Sequence, residues 1–197
     1  MLKKQLSSRD ESILLLLKKF DFMTRDQICG YFKLGKKRNA NRILHDLSDY
    51  LSSFRVGYTT IYYLNNLGRI YVDCDKTRRV SSNVQHTIMR NDFWMFYKFP
   101  YDWKNEVKIS DGQTSIVADS VFSRNGFKHF LEVDNIQKMK INQEKIKRYK
   151  TLSESLLLQF GYYPTIVWLT TTELRRKNLQ KACEGLKCKV YTLDDIK

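Results

Sequence analysis

The sequence is poor in residues that interrupt regular structure, with two prolines and eight glycines among 197 positions. That scarcity excludes collagen-like, linker-like and disordered classes. Long hydrophobic runs are also missing. The best aliphatic stretch, Ile13–Leu17, is five residues long, against roughly 18 needed to span a bilayer. The opening MLKKQLSSRDES has neither an apolar signal core nor a small-residue cleavage site, so the expected location is the cytoplasm. Cysteine is sparse and scattered. Cys29, Cys74, Cys183 and Cys188 form no CxxC pair, and His45, His86 and His129 lie far from them. A zinc site is unsupported, and reduced, mostly buried thiols are expected.

Acidic residues are the last deficit. Twenty-one acids face 35 Lys and Arg, a net charge of +14. A globular chain this basic usually meets a polyanion. Nucleic acid is the expected partner. A membrane surface is the weaker alternative, because no basic amphipathic helix with Trp or Phe along its apolar face stands out. Hydrophobic residues make up 42% of the chain, enough for a sizeable core.

The texture changes along the chain while the charge does not. Residues 1–80 carry 16 basic and 8 acidic side chains, and residues 81–197 carry 19 and 13. The first part is helical with one hairpin, and the second alternates strand and helix. The polar stretch Asp73–Ser82 lacks apolar periodicity, so the boundary is placed there, with domains 1–76 and 77–197.

Two capping boxes open the first domain, Ser8–Glu11 ahead of Ile13–Leu17 and Thr24–Gln27 ahead of Ile28. A third helix is expected over Lys36–Leu51, with Ala40, Ile43, Leu44, Leu47 and Leu51 on one face. The opposite face carries Lys36, Lys37, Arg38, Asn39, Asn41, Arg42 and His45. Seven of the ten residues from Lys36 to His45 are basic or amide-bearing, and none is acidic. Phe54–Leu64 then reads as two strands around Gly57. Three helices followed by a hairpin is the order of a winged helix-turn-helix, whose third helix enters the major groove. Arg and Lys suit phosphates or guanine, and Asn suits adenine. The hairpin would be the wing, bringing Arg55, Tyr58 and Thr59 to the DNA backbone or minor groove. The bland alternative is a three-helix bundle with a solvated charged face.

The second domain is expected to begin with a helix over Ser82–Phe99. Strands follow near Asn105–Ser110, Thr114–Phe122 and Gly126–Val133, separated by Asp111-Gly112 and Asn125-Gly126. A long helix over Lys138–Phe160 turns Ile141, Ile146, Tyr149, Leu152 and Leu156 inward. Tyr163–Thr170 reads as a buried strand, Thr172–Glu184 as a helix and Cys188–Leu193 as a last strand. The aromatics Phe93, Trp94, Phe96, Tyr97 and Phe99 read as core rather than as a base-stacking platform.

Helix, three antiparallel strands, helix and buried strand is the order of PD-(D/E)XK nucleases. There, two strand-end carboxylates hold a divalent cation while a Lys orients or activates water. Asp119 and Glu132 are the candidate metal ligands, and Asp119, Glu132, Asp134 and Lys145 the candidate catalytic set. Glu132 and Asp134 are two apart on one strand and share a face. Asp134 occupies the place of the motif's Lys, which Lys138, Lys140 or, foremost, Lys145 on the next helix would replace. Three clustered carboxylates need a cation as partner. Without a metal, Asp119 and Glu132 are strand-end carboxylates paired with Lys145 or Arg148. Glu106 is a further ligand candidate, or a solvated strand residue.

Ile116–Asp119, Phe130–Asp134, Lys145–Tyr149 and Thr165–Thr171, with His86 ahead of Asn91-Asp92, together resemble the replication-relaxation family of plasmids and integrative elements. The resemblance spans nearly the whole chain. It implies an α+β fold, a winged helix followed by a PD-(D/E)XK-like αβββαβ domain, and a role in replication or conjugative mobilisation. The family reads E-x-D where nucleases have Lys, which Asp134 matches, so the nuclease-like domain is expected to be degenerate. The leading expectation is a double-stranded DNA-binding accessory protein at a replication or transfer origin. It would assist a relaxase or replication initiator, with homodimerisation open. DNA binding would need no cofactor. The alternatives are a nickase using Mg²⁺ or Mn²⁺ and a transcriptional regulator.

Overall fold

The computed structural model describes residues 5–81 and 83–197. Ser82, the expected start of the second domain's first helix, lies outside them, as do residues 1–4. The fold is α+β. The chain divides into two compact units, Met1–Asn91 and Asp92–Lys197. The division falls inside a helix, whereas the sequence reading draws its boundary at 76/77 in the polar stretch.

In the first unit, α1 (Ser8–Phe20) buries Ile13, Leu14, Leu16, Leu17 and Phe20. Its cap is Ser7, whose side chain accepts from the Asp10 amide, one residue ahead of the expected box. A short strand β1 (Met23–Thr24), not read from the sequence, leads into α2 (Arg25–Phe32). The Thr24–Gln27 capping box forms in both directions, at 3.0 and 2.9 Å. α3 (Lys37–Asp46) buries Ala40, Ile43 and Leu44. It stops short of the expected Leu51, because Leu51 opens β2 (Leu51–Val56), which pairs with β3 (Thr59–Leu64). Gly57 makes the hairpin's turn at φ +58°, a conformation that costs an L side chain but not glycine. The sheet order is β1-β3-β2, all antiparallel. Another unanticipated helix, α4 (Asn66–Tyr71), follows, capped by Asn65.

α5 (Val84–Phe96) carries the division between the units. Its first half belongs to unit one, where Val84 and Ile88 pack with Phe22 and Ile61. Arg90 and Asn91, both buried, donate to the Phe20 carbonyl, and Asn91 also to that of Phe22.

Unit two is built on a mixed sheet ordered β4-β5-β6-β7-β8. β4 (Lys104–Ser110), β5 (Ser115–Arg124) and β6 (Phe127–Asp134) run antiparallel. β7 (Thr165–Thr170) and β8 (Cys188–Thr192) join parallel to β6, reached through the crossover helices α6 (Met139–Phe160) and α7 (Glu173–Ala182). β7 is buried at every residue, as a central parallel strand covered on both faces must be. A 3-10 turn, Leu193–Ile196, closes the described chain. The core under α6 joins Ile116, Ala118 and Phe130 to Ile146, Tyr149, Leu152, Leu156 and Trp168. Ile141, expected to face this core, is 51% exposed. It sits one turn into α6, where Asn142 rather than Ile141 is buried.

Candidate nucleic-acid interface and carboxylate site

In unit one, α3 lays its apolar residues inward and leaves the rest to solvent. Lys36, Lys37, Arg38, Asn39, Asn41, Arg42 and His45 are all exposed. Lys36 is the N-cap and makes no side-chain cap bond, and no acid lies in the first turn. The positive end of the helix dipole and the basic side chains therefore add at one place. Asn39 is committed locally: it donates to the Leu34 carbonyl at 2.8 Å and accepts from Arg42 at 3.1 Å. Arg42 also lies 3.7 Å from Asp46, one helical turn away. At exposed positions such a pair is weak and yields readily to a phosphate. The hairpin of β2 and β3 presents Arg55, Tyr58 and Thr59, all exposed. Tyr58 at its tip is fully solvated.

In unit two, β6 aims Glu132 and Asp134 toward α6, and the two carboxylates meet different surroundings. Glu132 is 1% exposed. Lys145 donates to one of its oxygens and the Tyr149 hydroxyl to the other, the latter at 2.6 Å. Lys145 and Tyr149 are four apart on α6, hence on one helical face. Burial, with the Asp119 charge behind it, pushes the Glu132 carboxyl up to about 8, against the opposing pull of Lys145 and Tyr149.

Asp134 is fully buried and ionised. It accepts from Asn142 at 2.8 Å, from Thr170 at 2.7 Å and from the Arg175 guanidinium through both oxygens. Burial alone would raise its pKa, yet these bonds hold it below the ordinary carboxylate value. Its three partners come from α6, β7 and α7, so Asp134 ties three elements to the end of β6. That arrangement is a structural joint, distinct from the Glu132 pair.

Asp119 reaches β6 differently. Its carboxylate accepts the Val133 amide at 2.7 Å, taking over a donor of the strand. The sheet is distorted around it. Asn105 pairs with Ser120 and Val107 with Ala118, and Glu106 and Asp119 lie between these two pairs. Glu106 adopts a left-handed φ of +53°, an uncommon conformation for a non-glycine residue. Ile116 and Ala118 belong to the core under α6, and Val121 packs against it. Ser120 instead bonds Asn105, and Phe122 stacks on Trp103 and His129. The face that β5 turns toward α6 therefore changes parity at Asp119, with no extra residue on either strand. Glu106 itself is exposed.

Of the four candidate catalytic residues, Asp119, Glu132 and Lys145 gather at one place, while Asp134 is drawn off by Arg175. Arg148, the other expected cation, is exposed. The donors around Glu132 are those that satisfy a carboxylate without a metal, because an ammonium and a phenol take both its oxygens. Among the described residues no group of three or more metal-ligating side chains assembles. Arg175, Asn142 and Thr170 escaped the sequence reading. Asn142, Lys145 and Tyr149 do share a helical spacing that marks one face of α6. Arg175 carries no local signal at all.

The replication-relaxation family model matches residues 14–162. The chain belongs to the replication-relaxation family. That membership associates it with replication or relaxation of plasmids and mobile elements. No curated protein matches this family member. Among solved structures it is similar to the crystal structure of protein VC1899 from Vibrio cholerae, at 15% identity and a TM-score of 0.44. The match covers 98% of this chain and 55% of that one, so the chain spans little more than half that protein's length. No helix among the described residues is long and apolar enough to cross a membrane.

Proposed function

We propose that this replication-relaxation protein binds double-stranded DNA through a winged helix-turn-helix formed by unit one, acting as an accessory factor at a replication or transfer origin. The observation that carries the reading is the exposed face of α3. It combines basic and amide side chains, an uncapped N-terminus and no acid in its first turn. Arg38, Asn41 and Arg42 are the base and phosphate readers, with Lys36, Lys37 and His45 on the flanking backbone. The hairpin serves as the wing, with Arg55, Tyr58 and Thr59 against the sugar-phosphate chain. Asn39 shapes the start of α3 rather than reading a base. Unit two is a nuclease-like PD-(D/E)XK scaffold in which Lys145 takes the metal's position, and it serves to engage a relaxase, a replication initiator or a second copy.

The test is equilibrium binding to duplex DNA of the protein's own element across a salt series. Affinity should fall steeply with salt, and each phosphate interaction removed should lower the log–log slope by about one. Arg38→Ala with Arg42→Ala should weaken binding strongly, by about 1–3 kcal/mol for each bidentate arginine–base pair that is broken. An unchanged affinity in the double variant would remove α3 as the reading helix.

A further inference from the structure

The end of unit two opposite Asp134, where β6, β7 and β8 begin, holds a cavity of about 190 Å³. Its floor is made by Tyr149 and Leu156 of α6 and Ile166 of β7, all buried. Its mouth is made by Tyr163, 46% exposed, and by Gly185 and Lys187 of the turn before β8, both exposed. Ser153 stands in the wall. Its hydroxyl donates to the Lys150 carbonyl at 2.7 Å and so presents its oxygen as an acceptor. Among the described residues that line the cavity none is acidic. An apolar cavity of about 150 Å³ holds a benzene-sized ring, so this one has room for a single heteroaromatic ring with its substituents.

The surface beside the mouth adds aromatic faces and positive charge. Tyr162, next to Tyr163, meets the exposed Phe127 ring edge-on at 4.9 Å between centroids. The Lys187 ammonium lies 5.3 Å from the centroid of the same Phe127 ring. Lys150, one helical turn before Ser153, and Lys189, two residues after Lys187, are exposed too. Proteins hold unpaired strands by this combination, with bases on aromatic rings and the backbone along basic side chains. A duplex has to unstack a base before a protein can take it in, so an unpaired strand is the ligand that fits. We propose that unit two binds single-stranded DNA by taking one base into this cavity against Tyr163, with the adjacent phosphates on Lys187 and Lys150. The site shares no residue with α3 or the wing, so duplex and single strand are held by different units.

The full-length protein should be titrated by fluorescence anisotropy into labelled oligothymidylate, into the same strand with abasic residues in place of thymidines, and into a duplex. The wild type should prefer the thymidylate strand over the abasic one by about fivefold or more, the weight of one stacked base. Tyr163→Ala should remove that preference and Tyr163→Phe should keep it, with duplex affinity and thermal midpoint unchanged in both. Lys150→Ala and Lys187→Ala should each lower the log–log salt slope on the single strand by about 0.7. Arg38→Ala with Arg42→Ala should weaken duplex binding alone, so that failure of the α3 reading and failure of this one are told apart. A strand carrying 5-iododeoxyuridine should photocrosslink to the Tyr163 peptide. Equal affinity for the thymidylate and abasic strands, a preference that survives Tyr163→Ala, or a crosslink confined to unit one would overturn the proposal.

Discussion

At the scale of single residues, Asp134 and Glu132 show how two carboxylates on one strand face become different groups. Asp134 has a bidentate guanidinium and two neutral donors, so it stays ionised in the interior. Removing that guanidinium leaves a buried charge without its partner, the costly case for interior ion pairs. Arg175→Ala should therefore destabilise the fold by about 3 kcal/mol in urea denaturation. Adding Asp134→Asn should recover part of the loss, and a double variant no more stable than the single one would contradict the account. Asp102 gives the pH dependence. Burial pulls its pKa up, but bonds from Lys128 and from Ser123 hold it down at about 2. The folded state thus binds a proton less readily than the unfolded chain. The resulting stability is present above the ordinary carboxylate pKa and disappears as pH falls through about 2. The stability difference between wild type and Asp102→Asn should shrink as pH falls from the ordinary carboxylate range toward about 2. A difference that stays constant would show that Asp102 makes no pH-dependent contribution.

At the scale of elements, α4 depends on a close approach that only glycine allows. Its N-cap Asn65 accepts the Gly68 amide at 2.9 Å and donates its own amide to the Tyr50 carbonyl at 3.1 Å. A Cβ at Gly68 would lie 2.1 Å from that carbonyl oxygen. Backbone must move to admit it, so Gly68→Ala should cost about 2–3 kcal/mol, in the range of overpacked cores. This is opposite in sign to the gain expected for alanine in an ordinary helix, so chemical denaturation decides it by direction alone. α3 sits at the other extreme. Its charged face is turned to solvent, so substitutions there should spare stability and act on binding.

At the scale of the whole molecule, the proposed split between a DNA-binding unit one and a scaffolding unit two has a direct test. Supercoiled DNA from the protein's element, incubated with Mg²⁺ or Mn²⁺ beside Glu132→Ala, separates scaffold from enzyme. The expected outcome is a mobility shift with both proteins and nicking by neither. Nicking by the wild type, absent in Glu132→Ala, would make Asp119 and Glu132 a working metal site in spite of Lys145.

Much of this was legible in the chain itself. Periodicity and capping are local, so the Thr24–Gln27 box, the helical face of α3 and the order of strands in unit two could be read directly. The clustering of Lys and Arg on α3 follows from spacing alone, and family membership follows from segments spread over most of the chain. Local rules slipped where a choice was close, as at Ser7 against Ser8, or where an element was very short, as with β1 and α4. The end of α3 was decided elsewhere, because pairing of Leu51 with Leu64 outweighed a helical periodicity that ran on through Leu51. The carboxylates were decided only by tertiary structure. Arg175 lies 41 residues from Asp134, and no spacing rule connects them until two parallel crossovers set α7 beside the end of β6. The sequence by itself determined which residues carry charge and which face of each helix is apolar. Partners, burial and left-handed strain at Glu106 came from packing, because they depend on what the fold brings across the chain.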